Sequence, residues 1–228
     1  MTRTAVGWLA VAAATIGWAA AARAQDADAA RAAEAIKAAD PDDVDPVAVK
    51  GDKWTFDFKY DDPAPLVVTT PQGKRAVYWY VLYTVTNHSG EDRLFVPSFT
   101  LVTDTVKVVK AGIHPSVFEA IKTQRKVPFL EDAAAVMGKV RIGPDNAKTS
   151  VAIFPPLDPK TDKFTIFVGS LSGEYVERPK ASAKPDTPED EKVLRLYKTL
   201  ALEYDLPGDE SWLNLDRPKF LSKKWTWR

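Results

Sequence analysis

From residue 54 the chain alternates. Trp54, Phe56, Phe58 and Tyr60 are separated by Thr55, Asp57 and Lys59, and a period of two with one aromatic face predicts a half-buried strand. Asp61, Asp62 and Pro63 supply turn chemistry after it. Residues 76–86 (AVYWYVLYTVT) are apolar or β-prone at both parities, the pattern of a central strand. Asn87-His88-Ser89-Gly90 turns the chain, Leu94 to Val102 reads as the returning strand, and Val106 to Val109 as a further short one.

The period then changes. Ser116 stands three residues before Glu119, a capping-box spacing, and Val117, Phe118 and Ile121 fall on one helical face that Pro128 ends. Leu130 to Met137 reads as a second short helix, and Gly143-Pro144-Asp145-Asn146 restores a turn. Strands resume at Thr149–Phe154 and Phe164–Val168. Leu194, Leu196, Leu200, Leu202 and Tyr204 alternate along a long strand that Pro207-Gly208 breaks. Trp225 and Trp227 share one face of a final strand, which is expected to pair and close the fold, with Lys224, Thr226 and Arg228 on the outside.

About eight short strands, one helical insertion near 115–138 and Pro/Gly turns predict a mainly β fold: an antiparallel β-sandwich, immunoglobulin-like in the broad sense. The expected domain runs over 51–228. Residues 178–192 (RPKASAKPDTPEDEK) hold prolines and charges without a large apolar side chain, and are expected to be a flexible loop. Residues 25–50 are Ala- and Asp-rich and read as a linker.

The segment before that linker has a different character. Arg3 is followed by an apolar, Ala-rich run from Ala5 to Ala22, then by the small-x-small site Ala22-Arg23-Ala24. That order of parts predicts a signal peptide over 1–24 and a mature chain beginning at Gln25. Localisation is therefore expected to be secreted or periplasmic, with no membrane span once the signal is removed.

Composition narrows the chemistry. Lys plus Arg and Asp plus Glu both number 31, so no basic excess points to nucleic acid. With no Cys there is no disulfide frame, thiolate nucleophile or iron–sulfur cluster, and two His argue against a His-rich metal site. Asp40, Asp42 and Asp43 resemble the start of a calcium loop, but Asp45 and Gly51 stand where that loop needs Gly and Glu. Gly169-Ser170-Leu171-Ser172-Gly173 places Leu, not Ser, at the centre of a nucleophile-elbow spacing, so it reads as a turn. No dinucleotide or phosphate loop is present. No catalytic, cofactor-binding or metal-binding residue is therefore assigned, and no cofactor is expected.

Three candidates for function remain. His88 in a turn and His114 before a helix are the available bases for a hydrolase. Asn87-His88-Ser89 matches a glycosylation acceptor. Trp54, Phe56, Phe58, Tyr78, Trp79, Tyr80, Tyr83, Phe95 and Phe99 form an aromatic group that fills a core or, if exposed, holds a sugar or peptide. Residues 78 and 80 oppose 79 and 83 on the central strand, so one set must be covered by the helical insertion or the tail, or else be exposed.

The strings GSLSGE (169–174), KTLALEYDLPGDE (198–210) and WTWR (225–228), with YTVTN (83–87), resemble a group of uncharacterised secreted bacterial proteins with an immunoglobulin-like β-sandwich. The resemblance covers roughly 50–228, and that group has no assigned activity. It implies export and a sandwich, and no catalytic residue. The leading expectation is an exported non-catalytic binding or assembly module of the cell envelope, its partner an unknown envelope or extracellular protein or glycan. The alternatives are a carbohydrate- or peptide-binding domain with exposed aromatics, and the hydrolase using His88 or His114.

Overall fold

The computed structural model of the chain describes residues 49–69, 73–180, 188, 192–206 and 217–228. The expected signal segment 1–24, the linker up to 48, and most of the expected loop 178–192 lie outside the described residues.

Fourteen strands are described: β1 (Val49–Thr55), β2 (Asp57–Tyr60), β3 (Ala64–Thr69), β4 (Arg75–Thr86), β5 (Arg93–Phe95), β6 (Ser98–Thr103), β7 (Val108–Lys110), β8 (Leu130–Glu131), β9 (Gly138–Val140), β10 (Lys148–Phe154), β11 (Lys163–Gly169), β12 (Ser172–Pro179), β13 (Val193–Asp205) and β14 (Lys219–Trp227). One helix, α1 (Pro115–Arg125), interrupts them. Strands form a seven-stranded sheet with the pairing path β1-β12-β13-β11-β6-β7 and β14 also on β13. A five-stranded sheet follows β2-β4-β10-β8 with β3 also on β4, and β5 pairs β9 separately. Nearly all pairs are antiparallel; β8 against β10 is parallel. The fold is thus mainly β, a sandwich with a helical insertion.

The two sheets meet through their alternating inner rows. Val81, Tyr83 and Val85 of β4 and Phe154 of β10 pack against Phe99 and Leu101 of β6, Phe164, Ile166 and Val168 of β11, and Leu200, Leu202 and Tyr204 of β13. Ring contacts link Phe56, Phe95, Tyr83 and Phe99 across this layer. The aromatic group is therefore core or half-buried against it.

The other parity of β4 has its own cover. Tyr80 and Leu82, with Val151 and Ile153 of β10, pack under Val117 and Ile121 of α1. The helical insertion thus resolves the double-faced strand. Pro115 takes the first helical position, where its missing N–H costs nothing. Lys126 ends the helix in the left-handed region (φ 51°), donating its N–H to the Lys122 carbonyl, two residues before Pro128. The expected capping box does not form: His114 is the cap residue, no side chain caps the helix, and Ser116 lies inside the first turn.

Other expectations are corrected. The alternating run 54–60 is two strands in different sheets, since the chain crosses over at buried Phe56, whose N–H donates to the Leu171 carbonyl. Alternation continues through the crossing, which is why the run reads as one strand. Leu94–Val102 does not return along β4. It breaks at Pro97 into β5 and β6, because β4 already has β2 and β3 along one edge and β10 along the other. Leu130–Met137 is not a helix. It is β8 followed by one turn, in which the Asp132 carboxylate accepts the Ala134 and Ala135 N–H groups, and β9 follows. The short strand expected at 106–109 is β7, beginning after Val106, which occupies a left-handed turn position (φ 62°). Val49 and Lys50 already pair with β12, and β12 runs to Pro179, so Arg178 and Pro179 pair with β13 rather than entering a loop.

The final strand pairs along Lys198–Asp205 of β13. Trp225 packs against the core opposite Leu200. Its other face is not simply solvated, as expected: Thr226 is buried, and Arg228 lies half-buried over the Phe167 ring. That face abuts β11 residues on the outer side of the same sheet.

This packing generates two predictions. Ile121→Ala removes a fully buried side chain between α1 and β4, and is expected to lower unfolding free energy by about 2–5 kcal/mol in urea titration, against little change for exposed Glu119→Ala. The second concerns alkali. Burial pushes the Tyr83 hydroxyl up to about 12. Burial, with Asp62 beside it, also raises Tyr204, whose hydroxyl donates to Asp62 Oδ1 at 3.2 Å. Both hydroxyls bind their protons more tightly folded than unfolded, so their contribution is complete below pH ~10 and is lost as pH rises beyond it. Stability should fall by about 1.4 kcal/mol per pH unit for each tyrosine in that window, and Tyr83→Phe should remove its share between about pH 10 and 12.

Candidate functional site

The residues nominated from sequence are largely absorbed by the fold. Asn87 is fully buried at the end of β4. Its Nδ2 donates to the Glu91 carbonyl (2.7 Å) and the Val140 carbonyl (2.8 Å). Its Oδ1 accepts the Ser89 N–H (2.9 Å) and hydroxyl (2.8 Å). The amide nitrogen that a glycan would need is therefore engaged and shielded in the folded chain. Asn87 builds the turn that presents His88, and His88 itself is exposed.

His114 is half-buried, its ring edge-on to Tyr78 at 5.1 Å. It shares a cavity of about 120 Å3 with Phe118, Glu119 and Asp132. No hydrogen bond joins either histidine ring to a serine or carboxylate among the described residues, so the fold assembles no base with an orienting partner around them. Among the described residues no three His, Cys, Asp or Glu side chains converge as a metal-binding group.

The Gly-Ser run has a different role. Tyr197 exchanges both backbone hydrogen bonds with Arg228. That edge of β13 belongs to the β14 segment, so β12, which also pairs at Tyr197, approaches from the other edge. There β11 pairs with Leu200–Asp205. Strands β11 and β12 thus follow one another along one edge of β13, and Ser170–Gly173, the link and the first residues of β12, bulge away from that edge. Leu171 points into the core and is fully buried, while Ser170 takes a left-handed φ of 63°. Ser172 Oγ donates to the Trp54 carbonyl at 2.9 Å. Gly173 packs so close to the Trp54 indole that a Cβ there would overlap it.

This bulge opens a groove of about 550 Å3 on the outer face of the seven-stranded sheet. Its floor carries Thr100 of β6, Phe167 of β11 and Thr199 of β13, and Leu94, Trp54 and Tyr197 flank it. Leu94 is 65% exposed and Tyr197 49%. Arg228 closes one side, its guanidinium centre 4.0 Å from the Phe167 ring centroid. Its Nη1 is shut off from solvent without a hydrogen-bond partner, and burial holds the guanidinium below its ordinary pKa. Thr199 Oγ1 donates to the Tyr197 carbonyl at 3.0 Å, whereas Ser98, Thr100 and Ser170 spend their hydroxyls on no described residue.

Sequence reasoning missed this groove. Its signal was the polar row Ser98 and Thr100, which alternates with buried Phe99 and Leu101. Ordinary solvation explains such a row equally well. Only the pairing of four separate strands brings these hydroxyls to Arg228.

Compared with known protein families, curated proteins and solved structures, the chain matches none.

The turn at Asn87 gives a test of its role. Asn87→Ala strands the Val140 carbonyl and opens the turn, and is expected to cost about 2–4 kcal/mol in chemical denaturation. His88→Ala in the same turn should cost less than about 0.5 kcal/mol. A reversed order would mean that the imidazole, not the amide, organises this corner.

Proposed function

We propose that this chain is an exported, non-catalytic β-sandwich acting as a binding or assembly module of the cell envelope, with the outer-sheet groove as its binding face. The observation that carries the reading is the groove itself: a concave surface beside exposed apolar side chains, where three hydroxyls and a half-buried guanidinium have no internal partner among the described residues. Proteins rarely leave a buried charged donor unpaired, because the lost hydration is costly. A ligand that pairs the hydroxyls and the guanidinium's other donors offsets part of that cost. The groove volume also lies within the range of ~300–1,000 Å3 usual for ligand sites.

Export rests on the signal-like order of residues 1–24, and the immunoglobulin-like assignment on the sequence resemblance. The hydrolase alternative has less support, since neither His88 nor His114 has an orienting partner among the described residues. The reading through exposed aromatics loses most of its support, because the aromatics of the sequence strip fill the two cores or lean on them; the exposed ring at the groove rim is Tyr197, which lies outside that strip. An envelope or extracellular protein or glycan remains the partner class, and the balanced charge gives no support to nucleic acid.

The test uses the full chain in its native host. Mature protein should begin at Gln25 by N-terminal sequencing and fractionate outside the cytoplasm. A photo-crosslinking residue at position 94, beside the groove, should give a discrete adduct that the same residue at remote position 119 does not. Cytoplasmic protein with its first 24 residues intact, or equal adducts from both positions, would overturn the reading.

A further inference from the structure

The groove has one fixed charge and a set of hydroxyl donors, and these define a ligand chemistry. Arg228 is held in place at three points. Its backbone exchanges two hydrogen bonds with Tyr197, at 2.7 and 3.0 Å, and its guanidinium lies on Phe167. A planar guanidinium fixed over a ring presents its remaining donors in a set plane, the arrangement suited to a carboxylate. No described carboxylate pairs with it, although Lys198 nearby in the sheet is taken by Glu174 at 2.5 Å. Among the described residues, the cation that lines the groove thus has no Asp or Glu side chain paired with it.

The lining also separates kinds of carrier. A sugar ring would seek a free aromatic face, yet Arg228 already lies on Phe167 and Arg93 lies on Trp54 at 5.3 Å, which leaves Tyr197 at the rim, itself against Tyr175 at 5.8 Å, as the uncovered ring of the lining. Most of the apolar surface the groove leaves open is instead aliphatic, from Leu94 and Val96, next to the hydroxyls of Ser98, Thr100 and Ser170. Aliphatic contacts of side-chain size beside hydrogen-bonding groups match a peptide better than a glycan.

We infer that the groove binds a peptide carboxylate, with Arg228 as its counter-charge and Ser98, Thr100 and Ser170 as neighbouring donors. This rests on the groove being the binding face, and it adds the ligand class. The carboxylate belongs either to a peptide chain end or to an Asp or Glu side chain. Both offer the same planar anion to the guanidinium. Bound, it neutralises a charge that the fold holds in a partly desolvated position, and exposed Leu94 and Val96 cover the adjoining residues.

The test uses three immobilised random hexapeptide libraries: one with free carboxyl ends, one amidated, and one amidated and lacking Asp and Glu. The full mature chain is expected to select peptides from the first or the second, which tells chain-end from side-chain carboxylate, and to ignore the third. For selected peptides, Arg228→Gln should weaken binding about 10- to 100-fold, as loss of a charge-assisted hydrogen bond implies, with Arg228→Lys in between. Thermal melting checks that both variants fold. Should Arg228→Gln unfold the chain, the Ser98→Ala and Thr100→Ala pair must lower affinity in its place. Equal selection from all three libraries, or unchanged affinity in a folded Arg228→Gln, overturns the inference. Selection of none, with an oligosaccharide of uronic acids binding instead, makes the carrier a glycan and also overturns it. In either case a groove-specific adduct from position 94 would still stand, so failure of the ligand class and failure of the binding face read differently.

Discussion

The architecture depends on the two-sided hydrogen-bond ladder of β13. Thirteen residues long, this strand receives β14 along one edge and both β11 and β12 along the other. Its inner row of Leu200, Leu202 and Tyr204 is fully buried in the core. No single partner matches its length. The sheet therefore makes the opposite edge from two strands, and the chain between them must absorb extra residues. Ser170–Gly173 does so, and the groove is the space that this mismatch leaves. A left-handed Ser170 and a Gly173 pressed against Trp54 are local costs of joining the two strands.

Strand β4 poses the complementary problem on the other sheet. A strand apolar at both parities cannot be half-solvated, so its second face needs a lid of its own. Helix α1 serves, using a narrow stripe centred on Val117 and Ile121. The stripe is short because β3 and β8 extend the cover, with Leu66, Val68 and Leu130 joining the same cluster. The consequence for function is an asymmetry. The outer face of the five-stranded sheet is closed by a helix, whereas the outer face of the seven-stranded sheet keeps a concave, partly polar opening.

The strong patterns were legible. The double-faced run at 76–86, the alternation at 194–204 and the short buried strand at 149–154 all appear where their periodicity puts them, because local pattern and burial agree there. Legibility failed where tertiary pairing decided. Nothing in the alternation from Trp54 to Tyr60 marks the change of sheet at Phe56, since the same inward parity serves both sheets. The Ala-rich run 130–137 has helical composition, but the Asp132 carboxylate captures the N–H groups of a single turn and the flanking residues find strand partners. The candidate site was hidden for a related reason. Ser98, Thr100, Ser170 and Arg228 are spread over 131 positions of the sequence, and none belongs to a motif.

The decisive contrast lies in how polar groups are spent. At Asn87 every hydrogen-bonding atom of the side chain is matched inside the protein, so that residue explains a turn and nothing more. At the groove the balance is reversed, with three hydroxyls and a guanidinium nitrogen left unmatched by the described residues on a concave surface. Stability alone gives no reason to retain such a set: a leucine in place of Arg228 would cover Phe167 without burying an unpaired donor. The guanidinium's contact with Phe167 offsets part of the cost of that donor, and in the proposed reading an anion supplies the rest. That is the physical reason for proposing a binding face at the bulge between β11 and β12 rather than at either histidine.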